Sequence, residues 1–262
     1  MSTPQADTDS QLVPEKEMLH DGSSSPEEFI LFGESFRQYI LIPRAHLLPT
    51  AAFLDLGCGN GSLARALTTF LTPPGRYEGI DVNEATIAWL QQRYANYPNF
   101  QFTHANVYNR LYNAGGQMAP GDYRFPFADG TFDVVLLKSV FTHMPPKDVR
   151  TYMREVGRVL RPGGRAVITY FLLNEESQQF IDKGLDAHRF RHVYESDPLC
   201  RVANPDMPES AVAHDEGRMR RYYAEVGCSV VDLSFGNWCG RSSQLGHQDL
   251  VIAVKEPPRA AV

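Results

Sequence analysis

The sequence predicts an open, mostly parallel α/β sheet with helices on both faces, and three observations carry that prediction. Short apolar runs alternate with helix-spaced stripes through the middle of the chain. The apolar run Phe132 to Leu137 reads as a strand buried on both faces of a parallel sheet. A glycine-rich turn, Gly57-Cys58-Gly59-Asn60-Gly61, follows the first such strand and opens a helix.

The elements follow in order. Residues 1–25 are rich in Ser, Pro, Asp and Glu, cannot offset their ordering entropy, and are expected to form a disordered acidic tail. From Glu28 on, Phe29, Ile30, Phe32, Phe36, Tyr39 and Ile40 give a helical stripe, broken near Gly33 and ended by Pro43. It predicts an N-terminal helical cover over 26–50. Ala51 to Leu56 reads as a strand, and Leu63, Ala66, Leu67, Phe70 and Leu71 mark the helix beyond the turn. Tyr77 to Ile80 is the second strand, followed by a helix from about Asn83 bearing Ile87, Leu90 and Tyr94 on one face. Phe100 to His104 alternates as a third strand. Pro145 and Pro146 suit a helix start, Val149 to Leu160 keeps helical spacing, and Pro162-Gly163-Gly164 stops it before the strand Ala166 to Phe171. Residues 172–213 hold no steady period and read as an inserted, lid-like segment before the last helix. That helix, Asp215 to Val226, leads to two closing strands, Ser229 to Phe235 and Leu250 to Val254.

Composition excludes several classes. At 262 residues, 43% hydrophobic and 21% charged, the chain is built like an ordinary globular domain. No stretch approaches the roughly 18 apolar residues of a membrane span. The formal net charge of −6 argues against a dedicated nucleic-acid binder. That charge resides in the tail, where residues 1–28 hold seven acids and one base. Cys58, Cys200, Cys228 and Cys239 show no metal-ligand spacing and no disulfide framework, so no metal is expected and a reducing compartment is the simpler reading. The N-terminus has neither a basic nor an apolar leader region, and a cytoplasmic protein is expected.

The glycine turn carries the chemistry. A dinucleotide fingerprint needs glycine or alanine three positions after its second glycine; here Ser62 stands there and the third glycine comes early, at Gly61. Asp55, in the strand before the turn, would repel a pyrophosphate and suits a cationic or zwitterionic ligand. It reads equally as a brace for the turn. Asp81, at the end of the second strand, is placed to accept from both hydroxyls of a ribose, with capping of the helix near Asn83 as its other reading.

Here the residues resemble the class I S-adenosylmethionine-dependent methyltransferases, in their small-molecule, type 11-like branch. Asp55-Leu56-Gly57-Cys58-Gly59-Asn60-Gly61 is similar to the family's first motif and Gly79-Ile80-Asp81 to its second. The run Phe125 to Val135 resembles the approach to the fourth strand, and Glu155 to Arg165 the helix and turn before the fifth. The resemblance spans about residues 51–171 and implies a Rossmann-like sheet of seven strands, the last antiparallel. It makes 26–262 a single methyltransferase domain: the cover at 26–50, a cofactor-binding core at 51–171, an insertion or substrate cap at 172–213, and a helix and strand pair at 214–257. It implies S-adenosylmethionine as cofactor, with Gly57 and Gly59 lining the methionine part, Asp81 the ribose, and Asn106 with Val107 the adenine edge. Asp55, Cys58, Val82 and Lys138 complete the implied cofactor set. Asn106 departs from the aspartate common in the family but keeps an acceptor for an adenine amino group.

Methyl transfer to a hydroxyl needs a base. His143, beyond the carboxyl end of the fourth strand, is the candidate, with orientation of its loop as the other reading; His214 and His247 are weaker alternatives. Phe141, Phe171 and Trp238 suggest an acceptor with apolar surface, although core packing explains each equally. His188-Arg189-Phe190-Arg191-His192 reads as a carboxylate or phosphate grip or as a solvated basic face. The resulting expectation is methylation of a small molecule at oxygen, on a hydroxyl or carboxylate, with carbon and nitrogen left open. No nucleic-acid partner is expected. A nicotinamide-dependent oxidoreductase and a non-catalytic cofactor-binding subunit are the rival readings.

Overall fold

The structure is a computed structural model and describes residues 10–19, 22–243 and 246–257. Seven strands form one sheet in the order β10-β11-β5-β4-β1-β2-β3, in which β1 is Ala52–Leu56, β2 Arg76–Asp81, β3 Phe100–His104, β4 Phe132–Leu137, β5 Leu160–Tyr170, β10 Cys228–Ser234 and β11 Asp249–Lys255. The expected seven-stranded, mostly parallel sheet with its last strand antiparallel is therefore present: β11 runs antiparallel to both β5 and β10. Among the described residues no helix is long and apolar enough to cross a membrane.

The chain divides into two compact units, up to Asn106 and from Val107 onward. In the first, α1 (Pro26–Phe36) starts with Pro26 in its first turn and the Ser25 hydroxyl accepting the Glu28 N–H at 3.3 Å. It runs on without interruption into a π turn, Arg37–Leu41. Gly33 thus does not break the helix as its sequence context predicts. A Cβ there would lie 2.1 Å from the Ser62 carbonyl oxygen, at the start of α2 (Ser62–Leu67), so glycine is what lets the two backbones touch. Packing overrides propensity at this position.

Strands β1, β2 and β3 are parallel, and their pairing aligns Phe53, Tyr77 and Phe100. Those rings stack at 5.7 and 5.4 Å. Between β2 and β3, α3 (Glu84–Arg93) is capped by Asn83, whose side chain accepts the Thr86 N–H at 3.0 Å. The acidic tail expected over 1–25 falls partly outside the described residues, at 1–9 and 20–21. Of the rest, Leu12 is buried and Lys16–Met18 form a 3-10 turn, so 10–19 hold structure that their polar composition does not predict.

In the second unit β4 and β5 are parallel and joined by α4 (Pro146–Val159). Arg158 on α4 donates to the Phe125 and Phe127 carbonyls and to the Glu155 and Asp129 carboxylates, at 2.5 to 3.0 Å. The Phe125 N–H returns to Glu155 at 2.9 Å, so two of the family-like motifs clamp each other.

Residues 172–213 are more regular than their sequence suggests. They supply β6 (Leu172–Leu173), α5 (Glu175–Asp182), β7 (His192–Tyr194), β8 (Asp197–Val202) and the start of β9 (Val212–Asp215). The four strands form a second sheet in the order β6-β9-β8-β7. Strands of two to six residues are too short to show a period. Helix α6 (Glu216–Glu225) then leads to β10.

Replacing Gly33 by alanine is expected to destabilise the chain by about 1–3 kcal/mol, the usual cost of forcing atoms into a packed contact. An unchanged midpoint of denaturant unfolding would show that the two helices part freely.

Candidate active site

The turn after β1 takes its shape from three glycines. Gly57, Gly59 and Gly61 all have positive φ, at 76°, 50° and 82°. The Gly57 and Cys58 amides both donate to the Ile80 carbonyl, at 2.7 and 3.0 Å, which ties the turn to the end of β2. Gly57 is exposed while Leu56 and Cys58 on either side are buried. Bare backbone therefore faces outward from an otherwise closed strand end.

Asp81 binds this turn from the next strand. One carboxylate oxygen accepts the Gly59 N–H and the other the Asn83 N–H, both at 2.9 Å. Asn83, not Asp81, caps α3. Each Asp81 oxygen keeps a second acceptor position, which suits a vicinal diol such as a ribose. Asp55 is buried and accepts the Tyr77 hydroxyl at 2.7 Å, the bracing arrangement. Burial, with Asp81 and Asp55 nearby, pushes the Cys58 thiol well up and keeps it neutral. His104 donates to the Val82 carbonyl at 3.1 Å, and the Ala105 amide to the Asp81 carbonyl at 2.9 Å. Asn106, the next residue, is exposed. The first unit thus brings together Asp55, Gly57, Cys58, Gly59, Asp81 and Val82, a cradle that fits a ribose-bearing, positively charged ligand.

The second unit carries the other predicted residues. Val107 and Lys138 are buried and half-buried, and Phe141, Phe171 and Trp238 are all buried. Phe171 packs on Trp238 at 5.4 Å within a closed apolar cluster. Asp249, fully buried, gathers that wall: it accepts from the Leu172 and Gly236 amides and the Trp238 indole at 2.7 to 2.8 Å. Burial raises its carboxyl to about 6.

At the carboxyl end of β4, Ser139 has a left-handed φ of 61°, a strained conformation for a residue with a side chain. Its amide donates to Thr169 Oγ1 at 2.8 Å and its hydroxyl to Gln248 at 3.1 Å, pinning the ends of β4 and β5 to the segment before β11. Sequence reasoning missed these three residues; the only local signal is a serine directly after a buried strand.

His143 lies just beyond. Its Nδ1 donates to the Glu209 carbonyl at 2.8 Å, and an acceptor that can only accept fixes the tautomer, leaving the lone pair on Nε2. Burial holds its pKa below the ordinary imidazole value, so the ring is neutral near pH 7. Tyr112 meets it edge-on at 6.1 Å. His214 is fully buried, with Nε2 donating to the Phe141 carbonyl at 2.8 Å. The run 188–192, read as a grip or as a solvated basic face, is divided among several partners. Arg191 pairs with Asp186 at 2.7 Å, Phe190 is buried, and His188 turns to His247.

The arrangement of a glycine turn on one strand and a diol-accepting aspartate on the next defines a class, and the comparisons agree with it. Residues 54–168 match the family described as a methyltransferase domain. These residues carry a methyltransferase domain, and the findings agree with the class I S-adenosylmethionine-dependent methyltransferases.

It is 37% identical over 201 residues to phthiotriol/phenolphthiotriol dimycocerosates methyltransferase 1 of Mycobacterium ulcerans, covering 71% of this chain and 66% of that protein. It is 32% identical over 122 residues to a demethylmenaquinone methyltransferase of Lactiplantibacillus plantarum, covering 47% and 46%. The chain therefore spans just under two thirds of the first relative and about half of the second. A solved S-adenosylmethionine-dependent methyltransferase from Methanosarcina mazei shares the fold, with a TM-score of 0.57 at 19% identity over 84% of this chain and 99% of that one.

Two outcomes follow. Asp81→Ala should weaken S-adenosylmethionine binding by about 1–3 kcal/mol in calorimetry; wild-type affinity would contradict the role of its carboxylate. Burial holds both His214 and His188 at about 4. Unfolded histidines take up a proton near pH 6.5 that the folded ones refuse, so stability falls as pH drops from about 6.5 towards 4. Asp249, raised in the folded state, offsets part of that loss. His214→Gln should flatten the acid limb of a urea-midpoint profile, and an unchanged limb would contradict the assignment.

Proposed function

We propose that this chain methylates a small, largely apolar acceptor at a hydroxyl oxygen, with His143 as the general base. The observation that carries the reading is the His143 tautomer: Nδ1–H is spent on the Glu209 carbonyl, which puts the lone pair that would take a proton on Nε2. The two curated relatives are both named for small-molecule acceptors, which supports that substrate class.

When bound, S-adenosylmethionine supplies an electrophilic methyl group on a positively charged sulfur. The backbone at Gly57 and Gly59 would hold its methionine part and Asp81 its ribose. Asn106 and Val107 would meet the adenine edge, and Asp55, Cys58, Val82 and Lys138 would complete the lining. The acceptor oxygen would receive the methyl group, and His143 Nε2 would take the proton that oxygen gives up. Phe141, Phe171 and Trp238 are buried, so their part is to back the site with a rigid apolar wall that keeps water out. All four cysteines are free and buried, in keeping with a reducing, cytoplasmic setting.

Incubating the protein with methyl-labelled cofactor and a panel of apolar alcohols, phenols and carboxylic acids tests the reading. Label transfer to a hydroxyl compound is expected, and His143→Ala should lower kcat by about 10²- to 10⁴-fold while leaving cofactor affinity unchanged. A wild-type kcat in that variant would rule out His143 as the base.

A further inference from the structure

A second pair of imidazoles lies outside the machinery assigned so far. His188 Nε2 and His247 Nε2 are 2.7 Å apart, joined by a hydrogen bond across 59 residues of sequence. Both rings pack on Phe171, with centroids at 4.5 and 5.8 Å, directly after the carboxyl end of β5. Open α/β sheets bind ligands at that end of their strands. His143, after β4, is close enough for its charge to bear on His188.

The proton positions follow from the partners. The Asn237 side-chain oxygen can only accept, so His247 Nδ1 carries a hydrogen towards it, at 3.3 Å. Neutral His247 then has its lone pair on Nε2, which must accept Nε2–H from His188. Neutral His188 is left with its lone pair on Nδ1, and among the described residues that nitrogen has no hydrogen-bond partner. Desolvation holds both rings below the ordinary imidazole pKa, and the neighbouring titratable groups that bear on His188 are His247, His143 and Asp186. The His188 ring also meets Phe190 at 5.6 Å, so the pair rests on an apolar base. A polar acceptor atom on an apolar base matches one ligand chemistry.

We propose that the His188–His247 pair, seated on Phe171, is the subsite that holds the hydroxyl of the methyl acceptor, with His188 Nδ1 accepting its O–H. The inference rests on the methyl-transfer reading and narrows it: the subsite takes an apolar alcohol or phenol and rejects a carboxylate, which has no hydrogen to donate and meets a lone pair. His188 and His247 are positioning residues here: the O–H rests on His188 Nδ1 in the bound acceptor and turns from it to His143 Nε2 for the transfer.

Calorimetry in the presence of saturating S-adenosylhomocysteine tests it, with para-hexylphenol and para-hexylbenzoate as probes. The phenol should bind at least about tenfold more tightly than the benzoate, since the His188 lone pair accepts from the phenol O–H and repels the carboxylate. His188→Phe and His247→Gln should each remove that preference and raise KM for a hydroxyl acceptor, with kcat changed far less and S-adenosylhomocysteine affinity unaltered. In long-range nitrogen NMR of labelled histidine, the phenol should shift His188 Nδ1. Equal affinity for the two probes, no binding of the phenol, or variants that keep the preference would overturn the proposal. So would a zinc ion that binds the pair at micromolar concentration and is required for activity, because the pair would then be a chelate. Failure of S-adenosylhomocysteine itself to bind would instead sink the methyl-transfer reading.

Discussion

The carboxylate of Asp81 joins two pieces of chain that must agree before a ligand can bind. Its oxygens hold the Gly59 amide in the turn after β1 and the Asn83 amide at the head of α3. With the Ile80 carbonyl holding the Gly57 and Cys58 amides, the left-handed turn is fixed from the neighbouring strand and not only by its own glycines. The turn is thus organised in advance, and a ligand that binds there need not supply the free energy to order it. Asp55 in β1 is buried and braced by the Tyr77 hydroxyl.

A comparable economy organises the second unit. Asp249 gathers three donors from the β5 exit and the 236–238 connection, and Ser139 pins the ends of β4 and β5. Between them they set a rigid floor of Phe171 and Trp238, and Phe171 carries His188 and His247. Those two and His143 have pKa values held below the ordinary one by desolvation, so all three are neutral hydrogen-bonding groups near pH 7.

What could be read from the sequence follows the range of the interactions. The main strands and the helices between them show their periods over five or more residues, and the turn announces itself because only glycine tolerates three left-handed positions in five. Asp81 was legible through its spacing from that turn. The second sheet was not, because its strands are short and pair residues such as Cys200 and His214 that no local pattern links. Gly33 was misread as a break because the reason for glycine, the Ser62 carbonyl, is remote in sequence. The basic run at 188–192 was hard to read for the same reason: His247, the apolar core and Asp186 engage His188, Phe190 and Arg191 in turn. Arg158, in the run that resembles the family's helix before the fifth strand, holds the Phe125–Asp129 run in place through carbonyls remote in sequence.

The central claim is that Asp81 presets the glycine turn for S-adenosylmethionine. Amide hydrogen exchange followed by NMR, with and without S-adenosylhomocysteine, tests it most directly. The account predicts that the Gly59 amide is already protected in the free protein and that adding the ligand perturbs residues 57–61 and Asp81 together. A Gly59 amide that exchanges at an unprotected rate until ligand is added, or a ligand response that misses this turn, would contradict it.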